Sequence, residues 1–191
     1  MNQKEAGKDL IYRVNDSSEQ IVDELLVMDC QSGRSKALDM LVSRWQKRLW
    51  QHAYRLAGDA EAAWDITQQS WLGIIKGLQR LNDPANFRAW AYKITTNNAI
   101  DWIKRHKAGK QISIEEISDR QCKCKESKFT DAVELLEKLD IKKRLVISLY
   151  YFEQLSVTEI GAVLNIPSGT VKSRLDSARK EFKELWQKYS E

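Results

Sequence analysis

The sequence predicts an all-α protein made of two helical domains joined by a flexible linker. Apolar residues recur at three- and four-residue spacing in long stretches before residue 107 and again after residue 131. Only two prolines occur in 191 residues, and both fall between helical stretches. Between the two blocks, Lys107 to about Ser127 is polar, holds Gly109 and loses the periodicity. The reading is therefore an N-terminal arm over 1–17, a first helical domain over 18–107, a linker over 108–130 and a second helical domain over 131–191. With 42% apolar and 30% charged residues, the chain can bury a core and is not wholly disordered.

Ser18 is placed to cap a first helix carrying Ile21, Leu25, Leu26 and Met28, which ends before Ser32-Gly33. From Ser35, the residues Leu38, Leu41, Val42, Trp45, Leu49, Ala53 and Leu56 give a long helix one buried face, and Gly58-Asp59 stops it. A second long helix is expected from about Ala60 to Leu81, with Trp64, Ile66, Trp71, Ile74, Ile75 and Leu78. Its Gly73 and Gly77, one turn apart, predict close approach of a neighbouring helix. Asn82 to Asn86 is a turn, and Phe87 to His106 is a third helix in which Phe87 and Trp90 are core residues.

In the second block, Leu135, Leu136, Leu139, Leu145, Val146, Leu149 and Tyr150 are helical, and Glu153-Gln154-Leu155 is a turn. Ser156 with Glu159 forms a capping box for a short helix bearing Ile160, Val163 and Leu164. Asn165 to Gly169 breaks that helix, and a longer basic one follows. A short capped helix, a turn and a longer basic helix make a helix-turn-helix. When Val171, Leu175, Ala178 and Phe182 face inward, Lys172, Ser173, Asp176, Ser177 and Lys180 face outward. Short polar and basic side chains at the start of a second helix suit base edges in the major groove. Arg174 and Arg179 flank that stripe within reach of phosphates, and Ser168 and Thr170 lie beside the free amides of the helix start. A helical hairpin with a solvated charged face is the plain alternative. The helix lengths and the serines in the stripe favour DNA.

The third helix of the first block is a second nucleic-acid candidate. Phe87 to Lys110 holds Arg88, Lys93, Lys104, Arg105, Lys107 and Lys110 against one acid, Asp101, interleaved with Trp90, Tyr92 and Trp102. Cations that follow a backbone, together with aromatics that stack on bases, suit single strands. Thr95, Thr96, Asn97 and Asn98 form an uncharged polar cluster within it. The preceding helix carries little positive charge and suits a protein partner.

No apolar run nears the ~20 residues of a membrane span, and Met1 to Leu10 is polar and charged, with no secretory signal. Cys30, Cys122 and Cys124 are an odd count and read as reduced thiols of a cytoplasmic protein. With His52 and His106 they form no cluster at metal-ligand spacing, so neither a metal nor a cofactor is expected. The carboxylates are scattered over helix faces rather than gathered as in an active site, so no enzyme is expected.

Two blocks resemble the extracytoplasmic-function (group 4) sigma factors of bacterial RNA polymerase. One is Ala37 to Lys107, with "DITQQSW" at Asp65–Trp71 and "FRAWAYKITTNNAIDWIKR" at Phe87–Arg105. The other is Leu135 to Leu185, with "LSVTEIGAVLNIPSGTVKSRLDSARK" at Leu155–Lys180. The resemblance implies a sigma-2-like domain that binds core polymerase and opens the −10 element, and a sigma-4-like domain that reads the −35 element. It implies core docking through Asp65, Gln68 and Gln69, although the family usually has an acid at the place of Gln69. The Asn82–Asn86 loop resembles the element holding a flipped-out base, and Asn97 and Asn98 match −10 contacts. Arg88, Tyr92, Lys93, Asp101, Lys104 and Arg105 complete the candidate −10 set. Lys172, Ser173, Asp176 and Ser177 match −35 readers. The family often has longer or basic side chains at the places of Asp176 and Ser177. The implied partners are bacterial core RNA polymerase and promoter DNA. Many family members are held inactive by an anti-sigma factor, which makes such a protein a candidate partner.

Overall fold

A computed structural model describes residues 18–109 and 134–190. The N-terminal arm, most of the linker and its Cys122 and Cys124 lie outside these residues. The first half holds α1 (18–31), α2 (Ser35–Ala57), α3 (Ala60–Leu78), a 3₁₀ turn (Pro84–Asn86) and α4 (Phe87–Gly109). The second holds α5 (134–137), α6 (Ile141–Ile147), which widens into a π turn at Ser148–Phe152, then α7 (Val157–Leu164) and α8 (Ser168–Ser190).

The helix boundaries follow from local chemistry. Gly58 ends α2 in the left-handed region at φ 73°, where a side chain is disfavoured. Asp59 then caps α3 by accepting the Ala62 amide at 2.8 Å, which satisfies one of the free donors of a helix start. Asp83 does the same for the Pro84 turn through Ala85 at 3.1 Å. α3 ends at Leu78, three residues earlier than the sequence suggests. α1 differs in its buried face, turning Asp23, Leu26, Val27 and Cys30 inward while Ile21, Leu25 and Met28 are exposed.

Trp45 is the centre of the first half. It is fully buried, with Phe87 edge-on at 5.2 Å and Tyr92 edge-on at 5.6 Å. Removing an indole of this size from water contributes roughly 4–6 kcal/mol. The glycine pair of α3 brings α4 close. A Cβ at Gly77 would stand 2.7 Å from Cζ2 of Trp90, and one at Gly73 would stand 3.2 Å from Cγ2 of Ile94.

The two halves pack on each other, which the sequence does not anticipate. Ala53, Leu56 and Ala99 of the first half meet Leu145 of the second, with Ile141, Leu164 and Ile103 at the edge. The Arg144 guanidinium reaches across and donates to the Leu56 carbonyl at 2.9 Å, satisfying an orphan acceptor at the end of α2.

Candidate nucleic-acid interface

The second half builds a helix-turn-helix from α7 and α8. Ser156 Oγ accepts the Glu159 amide at 3.2 Å, and the Glu159 carboxylate accepts the Ser156 amide at 2.7 Å, closing the capping box expected from the sequence. Asn165 ends α7 at φ 54°, a left-handed position that asparagine tolerates better than most residues. The turn is tight because Gly161 lies beneath it. Gly161 accepts the Ile166 amide at 3.0 Å, and a Cβ on it would sit 2.9 Å from the Ile166 carbonyl oxygen. Gly161→Ala is therefore expected to push the turn outward and cost about 1–3 kcal/mol, read as a lower urea midpoint.

Val171, Leu175 and Ala178 of α8 are buried against Ile160 and Val163. The opposite stripe, Lys172, Ser173, Asp176, Ser177 and Lys180, is exposed, as is Ser168 at the helix start. Thr170 and Arg174 are half-buried, and the Ser173 hydroxyl donates to the Thr170 carbonyl at 3.0 Å. Arg179 is exposed but held: it donates to the Tyr151 hydroxyl at 2.8 Å and to Asp176 at 3.1 Å. Its guanidinium also stands 5.3 Å and 5.6 Å from the ring centroids of Tyr150 and Tyr151. Tyr151 fixes the reach of this cation, a role with no periodic signal in the sequence.

On α4, Lys93, Asn97, Asp101, Lys104 and Arg105 are exposed along one surface. Asn82 and Asn86 are exposed in the preceding turn, and Asn86 donates to Asp83 at 2.7 Å. The polar cluster of α4 is divided between two faces. Thr95 and Thr96 are buried, Thr95 donating to the Ala91 carbonyl and Thr96 standing 2.9 Å from Nε2 of His52. Asn98 is half-buried and donates to Ser70 Oγ at 3.1 Å, tying α4 to α3.

Two expected −10 residues are engaged within the protein in this arrangement. Tyr92 is only 3% exposed, its ring packed against Trp45 and His52 and its hydroxyl engaged by Glu153, so it offers no stacking face. Arg88 is half-buried and donates to the Glu153 carbonyl. Its helix spacing puts it on the α4 face against which the second half packs. Trp102 is stacked on His106 at 3.9 Å rather than standing free.

The face of α3 differs in chemistry. Asp65, Gln68 and Gln69 are exposed and share one stripe with Leu72 and Ile75, at helical spacing. Leu72 is 51% and Ile75 44% exposed, with Trp64 beside them at 47%. Large apolar groups left in water among polar neighbours mark a contact surface. The sequence signal for it is the surplus of apolar positions in α3, more than one buried face can use.

Between the halves lies a buried polar cluster. Glu153, in the turn before α7, is 5% exposed. Its carboxylate accepts from Nδ1 of His52 at 3.2 Å and from the Arg55 guanidinium. Burial pushes this carboxyl up, but the His52 hydrogen bond, the charges of His52 and Arg55 and the Tyr92 hydroxyl outweigh that and hold it at about 2. Arg55 also lies over the Phe152 ring at 4.7 Å. Among the described residues no group of His, Cys, Asp and Glu is arranged to hold a metal, and no helix is long and apolar enough to cross a membrane.

Residues 41–109 match the family Sigma-70 region 2, and residues 130–182 match Sigma-70, region 4. The chain is 29% identical over 180 residues to the ECF RNA polymerase sigma factor SigW of Bacillus subtilis, covering 83% of this chain and 96% of that protein. It is 30% identical over 161 residues to the ECF sigma factor SigE of Mycolicibacterium smegmatis, covering 80% of this chain and 62% of that protein. Among solved structures, CnrH in complex with the cytosolic domain of CnrY superposes with a TM-score of 0.68 at 26% identity, covering 87% of this chain and 97% of CnrH. With both regions present in order, the chain belongs to the ECF sigma factors of the sigma-70 family, the promoter-recognising subunits that direct RNA polymerase.

Proposed function

We propose that this sigma factor reads a −35 element through α8 and a −10 element through α4, while α3 docks on core polymerase. The observation that carries the reading is the exposed stripe of Lys172, Ser173, Asp176, Ser177 and Lys180 on a capped helix-turn-helix whose opposite face is core. Base edges are read from that stripe, and Arg174, Arg179, Ser168 and Thr170 hold phosphates. On α4, Asn97 reads unpaired bases, and Lys93, Lys104 and Arg105 follow the backbone, with Asn82 and Asn86 beside them. Asp65, Gln68, Gln69 and the apolar pair Leu72 and Ile75 form the polymerase contact. The chain carries no chemistry of its own, because nucleotide addition belongs to the polymerase. It works in the cytoplasm, where polymerase and promoters are. CnrH is held by the cytosolic domain of CnrY in its solved complex, and an inhibitory protein of the anti-sigma kind is a candidate partner here.

Reconstitution with bacterial core polymerase and a genomic fragment library tests this. Lys172→Ala with Ser173→Ala is expected to lower transcription from the selected promoters by at least tenfold, since each base contact contributes about 1–3 kcal/mol, and to leave core binding intact. If core binding falls instead, the assignment of α8 to DNA is wrong.

A further inference from the structure

We propose that the buried His52–Arg55–Glu153 cluster is a latch that holds the two halves of this chain in a closed form unable to engage both promoter elements. The inference rests on the reading that the halves take separate elements. Glu153 belongs to the helix-turn-helix half, yet the side chains against its carboxylate, His52 and Arg55, both come from α2 of the other half. Its main-chain carbonyl accepts from Arg88 of α4, also in the first half. From its own side Ser148, at 3.5 Å from Nδ1 of His52, and the Phe152 ring beneath Arg55 join the cluster.

Charged groups at the centre of a contact are a poor way to make it permanent, because apolar residues of similar volume usually hold at least as well. They suit a contact that comes apart, since Glu153, Arg55 and His52 are all readily solvated once separated. A cleft of about 400 Å³ bordered by Arg48, Arg88, Pro84 and Gln154 runs along the edge of the cluster.

Dimensions make opening necessary. A compact chain of this length has a radius of gyration of about 16 Å and is therefore some ~40 Å across. Elements centred about 25 base pairs apart are separated by ~85 Å of duplex at 3.4 Å per step. The closed form cannot place α8 and α4 on both. The intervening residues 110–133 number 24, a length that reaches ~80 Å at full extension. Opening also frees Arg88, the −10 candidate that the closed form occupies.

Small-angle scattering on the full-length protein, without DNA or polymerase, tests the latch. Glu153→Gln leaves Arg55 buried without its carboxylate and is expected to shift the closed-to-open ratio by at least 100-fold. The radius of gyration should rise well above the compact value with helicity unchanged. Arg55→Gln should do the same, and the double variant, with neither charge to strand, should return toward the compact value. Compact scattering from both single variants overturns the latch, as does loss of helicity in either, which makes the cluster a part of the folded core. If Glu153→Gln opens the chain but promoter complexes form no faster on core polymerase, the closed form does not limit promoter engagement, and the proposal fails at that step. If neither protein selects promoters at all, the two-element reading fails instead, whatever the scattering shows.

Discussion

Glutamates in place of Leu72 and Ile75 are expected to weaken assembly with core polymerase by 100-fold or more. Both side chains stand about half in water on α3, on the same stripe as Asp65, Gln68 and Gln69. Leaving them exposed is unfavourable for the free chain, by about 25 cal/mol for each Å² of apolar surface that burial would remove from water. A polar face such as the outer side of α8 carries no comparable apolar groups. At an interface, a well-seated apolar side chain typically accounts for 2 kcal/mol or more, about 30-fold in affinity, and a buried carboxylate adds a desolvation cost. The same substitutions should leave the melting temperature nearly unchanged, because neither residue packs in the core. Titrating fluorescently labelled protein with core polymerase and following anisotropy measures the loss. Undiminished affinity would move the docking surface away from α3.

What is legible in the sequence divides by the range of the interaction. The helices are readable because their burial repeats every three to four residues, and the capping box because Ser156 and Glu159 are three apart. The glycine pair of α3 is readable because small residues one turn apart have few other uses. Tyr92 misleads for the same local reason. Its basic and aromatic neighbours make α4 look like one uniform surface, whereas α4 is packed by α2, α3 and the second half in turn. A helix enclosed in this way has no single apolar stripe, so periodicity cannot say which of Tyr92, Thr96, Asn97 and Asn98 faces out. The Glu153 cluster is invisible in the sequence. His52 and Glu153 are 101 residues apart, and neither carries any local mark of pairing.

Acid should weaken the closed protein through Glu153. The carboxyl is held at about 2 in the structure against an ordinary value of 4.5. A depressed value means that the closed form keeps the carboxylate ionised while an open or unfolded chain takes up a proton. The stabilisation is therefore fully present above about pH 4.5 and is lost as the pH falls toward 2. Its full size is about 3 kcal/mol, from 1.36 kcal/mol per pH unit, and about half is gone by pH 3.5. The groups facing Glu153 are His52 and Arg55 from α2 and Arg88 and Tyr92 from α4, with Glu19, Asp23 and Arg48 bordering the adjoining cleft. Tyr92 is pushed well above its usual range by burial and by Glu153, so it stays protonated and adds nothing in acid. Glu19 is lowered by its Arg48 hydrogen bond and shifts stability in the same direction. Comparison with Glu153→Gln removes that contribution, because Glu19 and Arg48 are present in both proteins. The difference in urea unfolding free energy between the native chain and Glu153→Gln should shrink steadily as the pH falls below 4.5. A gap independent of pH down to 3 would mean that Glu153 is not preferentially ionised in the closed form, and that its contacts with His52 and Arg55 do not stabilise the carboxylate.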